Sequence, residues 1–239
     1  MQLKFPIVSL LILLTALQTA AQRRFYFSAT AAPDISPTFG NGSVWNVTGD
    51  GIRRKMSWTK DNSTLTSKTS SSTSGTGNYL MYQLVSDPLQ AATVSGATIK
   101  GQLRANASST SGSPRLSTAV TMFIVDGSGN YKSSITTSSG TSGSGDYTTT
   151  LTNRFLWNGT QTLSDFTLAD GDRIVFEIGF NQHFASQART VTQRIGNSAA
   201  SDLAQDETST TDNNPWIEFS YTFQTYTPTA KSRRVRIMN

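Results

Sequence analysis

The sequence predicts an all-β protein: an antiparallel β-sandwich of jelly-roll type, with an immunoglobulin-like sandwich as the alternative topology. Three observations predict it. Residues 170–180 read Asp-Gly-Asp-Arg-Ile-Val-Phe-Glu-Ile-Gly-Phe, so Ile174, Phe176, Ile178 and Phe180 share one face while Arg173, Val175 and Glu177 share the other. That period of two is what a half-buried strand requires, because successive side chains leave a pleated backbone on opposite sides. Charged residues are only 15% of the chain, and Ser, Thr, Gly and Asn fill the gap, which suits turns and Thr-rich strand faces rather than helices. Finally, about eight to ten segments of strand length are separated by turn signals, a number that a double-sheet jelly roll accommodates.

The elements follow in chain order. Residues 23–30 form a first strand with Phe25 and Phe27 on one face, broken by Pro33 and Pro37. Residues 39–56 are rich in Gly and Asn and give no clear pairing; 64–78 are Ser, Thr and Gly, a surface connection or an exposed edge strand. Residues 78–87 make a buried strand ended by Pro88. Within 94–107, Ile99, Gly101, Leu103 and Ala105 alternate with Lys100, Gln102 and Arg104, a strand with one wet face. Residues 119–126 and 131–137 pair across a Gly-Ser-Gly-Asn hairpin turn at 127–130. A Ser/Gly loop at 138–145 leads to a strand at 146–155 and a turn at 157–159. Residues 163–169 lead into the strand described first, 189–195 form a shorter strand, and 197–214 form an acidic loop. Pro215 opens the last strand, 216–223, which carries Ile217, Phe219, Tyr221 and Phe223 on one face.

Residues 1–21 read as a secretory signal peptide: Lys4, an apolar run, then Thr19-Ala20-Ala21 before a cleavage that leaves Gln22 first. A retained membrane anchor is the alternative, but the apolar run falls short of the roughly 20 residues that span a bilayer. One domain, 22–230, then precedes a basic tail, 231–239. No cysteine is present, which excludes disulfides, thiolate nucleophiles and lipoprotein attachment. The net charge of +5 resides at the ends: without 1–21 and 231–239 the chain holds 15 cations against 15 acids. A phosphate-binding surface needs a basic stripe on the folded body, so a nucleic-acid partner is not expected.

Catalysis has little to build on. A Ser-His-Asp triad would have to use the single histidine, His183, and no Gly-x-Ser-x-Gly elbow accompanies it. Asp202, Asp206, Glu207 and Asp212 lie within one Ser/Thr-rich loop, a donor set that a hard cation such as Ca2+ could use, although their spacing matches no calcium loop and a solvated loop explains them as well. Trp157, Trp45, Trp58, Tyr131 and Tyr147 adjoin turns or irregular sequence, where amphipathic rings either stack on sugars or pack at sheet margins. Asn41, Asn46, Asn62, Asn106 and Asn158 head Asn-x-Ser/Thr sequons, which a glycosylating host would use.

Several pieces, in order and spacing, resemble an uncharacterised group of β-rich proteins met in tailed-phage genomes and environmental bacteria. They are the Arg-Phe-Tyr-Phe of 24–27, Val-Ser-Asp-Pro-Leu of 85–89, Gly-Gln-Leu-Arg of 101–104, Leu-Thr-Asn-Arg of 151–154, 171–179, and Ser-Asp-Leu of 201–203 leading to Asn-Pro-Trp-Ile-Glu-Phe at 214–219. Ala204-Gln205 stand where that pattern carries Pro-Glu, which removes an acid from the metal reading. The resemblance implies a jelly-roll structural or carbohydrate-binding module and transfers no catalytic residue. A signal peptide departs from a phage virion protein, since virions assemble in the cytoplasm.

The sequence therefore leads to a secreted, non-enzymatic surface protein, the structural subunit of an extracellular filament, coat or virion, acting in assembly or attachment. Copies would associate through terminal strands, with 23–30 and 233–239 as donors. A monomeric carbohydrate-binding module is the alternative, and a secreted hydrolase depending on His183 a weaker one. No cofactor is expected apart from the Ca2+ considered for the acidic loop, and no membrane span after cleavage.

Overall fold

The computed structural model describes residues 22–42, 44–60, 66–71, 76–109, 116–139, 147–157, 159–183, 188–199 and 201–228. The signal peptide expected at 1–21 and the tail at 231–239 lie outside them. The described residues form strands and no helix, as the composition and periodicity predict. In chain order the strands are β1 (Gln22–Phe27), β2 (Ile52–Ser57), β3 (Thr66–Ser71), β4 (Gly77–Val85), β5 (Ala92–Val94), β6 (Thr98–Ala107) and β7 (Leu116–Val125). They continue with β8 (Tyr131–Ser139), β9 (Thr152–Phe155), β10 (Gln161–Thr162), β11 (Phe166–Leu168), β12 (Arg173–Gln182), β13 (Thr190–Ile195) and β14 (Trp216–Phe223).

Twelve strands make one mixed sheet in the order β3-β13-β6-β14-β1-β2-β4-β12-β7-β8, with β9 and β10 also paired to β6; β5 and β11 form a separate ribbon. The hinge of the sheet is β2. It meets β1 antiparallel through Tyr26↔Ser57 and Phe27↔Met56, and β4 in parallel from Ile52↔Tyr82 to Lys55↔Val85. The Gly/Asn-rich stretch at 39–56 thus holds a strand that its alternation does not announce, since Arg53, Arg54 and Lys55 interrupt any apolar face.

The sheet curls so that strands far apart in its order touch face to face. Phe27 of β1 and Phe176 of β12 pack with ring centroids 6.0 Å apart. From β4, the Tyr82 hydroxyl donates to the Gln193 carbonyl of β13 at 3.3 Å, and Gln193 Nε2 donates to the Gly179 carbonyl of β12 at 2.8 Å. The enclosed core holds the predicted apolar faces: Ile174, Phe176, Ile178 and Phe180 of β12, Phe25 and Phe27 of β1, and Ile217, Phe219 and Phe223 of β14. Each buried aromatic or aliphatic side chain contributes about 1.5–3 kcal/mol.

The outer faces correct the sequence reading. The alternation in β6 and β12 predicts one wet face each, yet Gln102 and Glu177 are fully buried and Arg104 and Arg173 nearly so. The reason is tertiary. Residues 28–42 and 44–51 run across the outside of β4, β12 and β7, placing Ile35 against Val85, Phe123, Val125 and Val175. Residues 201–214 cover β6 and β9 on the other half, where Asn153 Nδ2 donates to the Ala204 carbonyl at 3.0 Å. The strand expected at 146–155 is shortened to β9.

A bulge marks where β4 meets β12: Ile178 faces Tyr82, but Gly179 faces Leu80. Here the backbones close in until a Cβ on Gly179 would lie 1.9 Å from the Tyr79 carbonyl oxygen and 2.8 Å from the Trp45 ring. Overpacking of this kind costs about 1–3 kcal/mol or more. Gly179→Ala is expected to cost at least about 2 kcal/mol in urea unfolding, and a change within about 0.5 kcal/mol would show that the contact yields freely.

Candidate functional site

The most unusual chemistry lies on the outward face of β12. Glu177 projects away from the core, but the segment 28–51 closes over it and leaves it 0% exposed. Its carboxylate is met by donors: Oε1 accepts from the Gly40 amide at 2.9 Å and from Gln83 Nε2 at 2.9 Å, and Oε2 accepts from the Trp45 indole at 2.7 Å. Arg53 extends the network, donating through Nε to Gln83 Oε1 at 2.6 Å while its guanidinium lies 4.4 Å above the Phe39 ring. Burial pushes the Glu177 carboxyl up from its ordinary value, against the pull of its three donors and of Arg53. Gly42 lies so close to β7 that a Cβ there would meet Thr121 Oγ1 at 2.3 Å. Sequence reading places Glu177 on a wet face; its signal is a lone ionisable residue within an apolar run.

Beside this network, at the start of β12, a cavity of about 190 Å³ is lined by Pro33, Asp34, Lys55, Ser86, Asp87 and Arg173. Arg173 donates from NH1 to the Ser86 carbonyl at 3.0 Å and from NH2 to Asp34 at 2.6 Å. Lys55 pairs with Asp87 at 2.7 Å.

The four acids considered as metal ligands are dispersed, each holding a different part of the loop. Asp202 pairs with Lys60 at 2.7 Å and Arg24 at 2.5 Å, and Arg24 lies 4.1 Å above the Trp216 ring. Burial alone would raise the Asp202 carboxyl, yet Lys60 and Arg24 hold it below the usual carboxylate range. Asp206 accepts from the amides of Thr208 and Ser209 at 3.0 and 2.8 Å, closing its own turn. Glu207 accepts from the Phe155 amide at 3.4 Å, and Asp212 pairs with Arg104 and Arg194. Among the described residues, no three His, Asp or Glu side chains converge as a metal-ligand set.

The five aromatic candidates also separate. Trp157 is fully buried and stacks on Phe176 at 5.5 Å, and Tyr147, 2% exposed, hydrogen-bonds Thr118 and Gln193 at 3.1 Å each. Neither presents a ring to solvent. Trp45 is committed to Glu177, and Trp58 packs on Phe25 at 5.4 Å. Tyr131, at the start of β8, is 44% exposed, with its ring packed on Phe123 at 5.7 Å. Of the sequons, Asn46 is exposed and accepts from the Asn78 amide at 2.8 Å, Asn106 donates to the Thr149 carbonyl at 3.0 Å, and Asn41 is half-buried. Asn62 and Asn158 lie outside the described residues. His183 Nε2 lies 3.1 Å from Ser117 Oγ, but Ser117 is only 1% exposed.

No protein-family model and no curated protein matches the chain. Among solved structures, the chain is similar to a CocE/NonD family hydrolase from Staphylococcus aureus, with a TM-score of 0.39 and 5% identity over 86% of this chain and 37% of that one. It is also similar to an α-amino acid ester hydrolase, with a TM-score of 0.33 and 9% identity over 73% of this chain and 35% of that one. The chain thus spans little more than a third of either hydrolase.

The Glu177 network has a pH signature. A raised folded-state value means that the native protein keeps this proton at a pH where the unfolded chain has lost it, so stability falls as pH rises from the ordinary glutamate value toward the raised one. In Glu177→Gln that contribution is absent, while the depressed carboxyls of Asp202 and Glu218 act alike in both proteins. Urea unfolding at pH values from about 4.3 upward should show the wild type losing stability relative to the variant; parallel curves would refute the assignment.

Proposed function

We propose that the protein is a non-enzymatic structural subunit of an extracellular filament, coat or particle surface, built on a jelly-roll-type sandwich, whose copies join by strand addition. The observation that carries this reading is the free edge at β8. β8 ends the sheet order, pairing with β7 on one side and with no strand among the described residues on the other. Its nine residues, Tyr-Lys-Ser-Ser-Ile-Thr-Thr-Ser-Ser, contain no proline, and the one charge, Lys132, turns to Asp172 at 2.5 Å. Soluble proteins usually guard such an edge with charge, proline or a covering segment. The other end of the sheet order, β3, is a second edge. Two edges on one subunit give a chain of copies rather than a closed pair, whether the contacts repeat like to like or head to tail.

The donor strand in this reading differs from the sequence expectation. β1 is paired on both sides by its own chain, with β14 and β2. The donor is therefore a neighbour's free edge or the tail segment 233–239. The glycan alternative rests on Tyr131, which is exposed at the start of the same edge strand.

The test is light scattering and negative-stain imaging of residues 22–239, beside Ser133→Pro and Ser134→Pro. Adjacent strand amides point to opposite edges, so one proline removes an outward donor whichever way the ladder runs. Polymers or rings are expected for the wild type, with assembly lost in one variant that still shows a cooperative melt. A wild type that stays monomeric at high concentration overturns the assembly reading; glycan binding abolished by Tyr131→Ala would then establish the alternative.

A further inference from the structure

We propose that Arg173 forms the floor of an oxyanion-binding site on the outer face of β12, which Asp34 closes from within the chain. The ligand is a single carboxylate, sulfate or phosphate group, either free or carried by a saccharide. The site lies two strands from the β8 edge, with β7 between, and the proposal does not depend on assembly.

The first argument is the asymmetry of the ion pair. The Arg173 side chain is 5% exposed, whereas that of its partner Asp34 is 68% exposed. A buried guanidinium needs an anion continuously, because its desolvation is costly without one. An exposed carboxylate loses little by returning to water. Among the described residues Arg173 is the only polar partner of Asp34, which sits on the irregular segment 28–51 rather than on a strand. Asp34 thus occupies the place of a displaceable ligand, and Arg173 that of a fixed receptor at the start of a central strand.

The second argument is unused donor capacity in a space of suitable size. Arg173 spends NH1 on the Ser86 carbonyl and NH2 on Asp34, and its buried Nε finds no protein acceptor. A guanidinium presents its donors as a planar fork that matches an oxyanion with two bonds. The cavity that it lines, about 190 Å³, is many times the ~10–15 Å³ that one water needs on the same measure, room for a sulfate or the carboxylate end of a uronic acid. Lys55 at the same cavity supplies a second cation, paired to a half-buried Asp87 at 2.7 Å. The competing explanation makes the Asp34–Arg173 pair a clip that holds the 28–51 segment in place, with no ligand.

Calorimetric titration of residues 22–239 with sodium sulfate, and separately with a glucuronate-tipped oligosaccharide, distinguishes the two at matched ionic strength in sodium chloride. Asp34→Ala should bind the anion about fivefold more tightly than wild type, the upper scale of an ion pair whose carboxylate is exposed, removed from competition. Arg173→Lys, which keeps the charge and loses the fork, should abolish that gain. Tighter binding of the oligosaccharide assigns the anion to a glycan; equal binding assigns the site to the free ion. The proposal is overturned if Asp34→Ala binds no better than wild type, with or without a lowered melting temperature. Because Asp34 is exposed, that variant remains informative even where Arg173→Lys does not fold.

Discussion

A carboxylate that cannot reach water sets the terms for one half of this molecule. Glu177 lies in the middle of β12, flanked by Val175 and Gly179 on its own face. Left bare in a low-dielectric site it would cost several kcal/mol, so the chain must bring donors to it. They come from three places: the Gly40 amide, the Trp45 indole and the Gln83 amide. Two belong to the segment that crosses the sheet, so satisfying Glu177 also fixes that segment. Once fixed, the segment places Ile35 over Val85, Phe123, Val125 and Val175 and extends the apolar packing to the outer face. Polar satisfaction and hydrophobic burial are thus one event here, and β12 is buried on both sides because of it.

The same logic governs the other half with different residues. Loop 201–214 covers β6 and β9, and what it buries is polar: Gln102, Arg104 and Asn153. With its Nε2 facing the Asp206 and Arg154 carbonyls, at 3.2 and 3.0 Å, Gln102 also accepts from the Asp206 amide. Asp212 neutralises Arg104, whose NH2 donates to the Leu151 carbonyl at 2.6 Å. Four acids within eleven positions invite a metal reading, but coordination needs convergence, and these carboxylates face in different directions. Their separation follows from the cations they meet, which belong to β1, the segment after β2, β6 and β13.

How far the sequence could be read follows from this arrangement. The strands at β1, β6, β12 and β14 were legible because a period of two survives whatever covers the sheet, and β4, β7 and β8 from apolar runs and the turn residues that bound them. Turn chemistry was legible too: Asp126 accepts from the Ser128 and Asn130 amides at 2.8 and 2.9 Å, as the Gly-Ser-Gly-Asn hairpin implies. The covering segments were not legible, since burial of an outward face is decided by residues far away in the chain. Lys100, Gln102 and Arg104 alternate like any solvated set, yet Gln102 is fully buried. β2 escaped because it is a short parallel partner of β4 that carries three consecutive cations. Two of the aromatic candidates, Trp157 and Tyr147, are buried for a related reason: proximity to a turn in sequence does not say whether a ring points outward, and Trp157, two residues before Gly159 with its φ of 72°, stacks on Phe176 in the core.

Covering the outer side of the central strands limits the open sheet area that a partner could use. A sheet with an open face offers area, and its affinity would come from apolar burial across that face. Here the outer sides of β4, β12, β7, β6 and β9 are occupied by the chain itself, and Val47 and Tyr131 are the large hydrophobic residues that stand exposed among the described residues. What remains is of two kinds. One is the backbone edge, where amides and carbonyls are already oriented and recognition needs no side-chain platform. The other is the seam where a covering segment crosses a strand end, where cavities are small and charges meet. The Ser/Thr composition favours the first kind, because hydroxyl side chains flank an edge without repelling a second strand as Lys or Glu would. The closure of the faces by buried polar networks and the exposure of the edges are therefore linked: a chain whose polar residues fix its own covering segments leaves its backbone edges, β8 and β3, as the ends of the sheet order among the described residues.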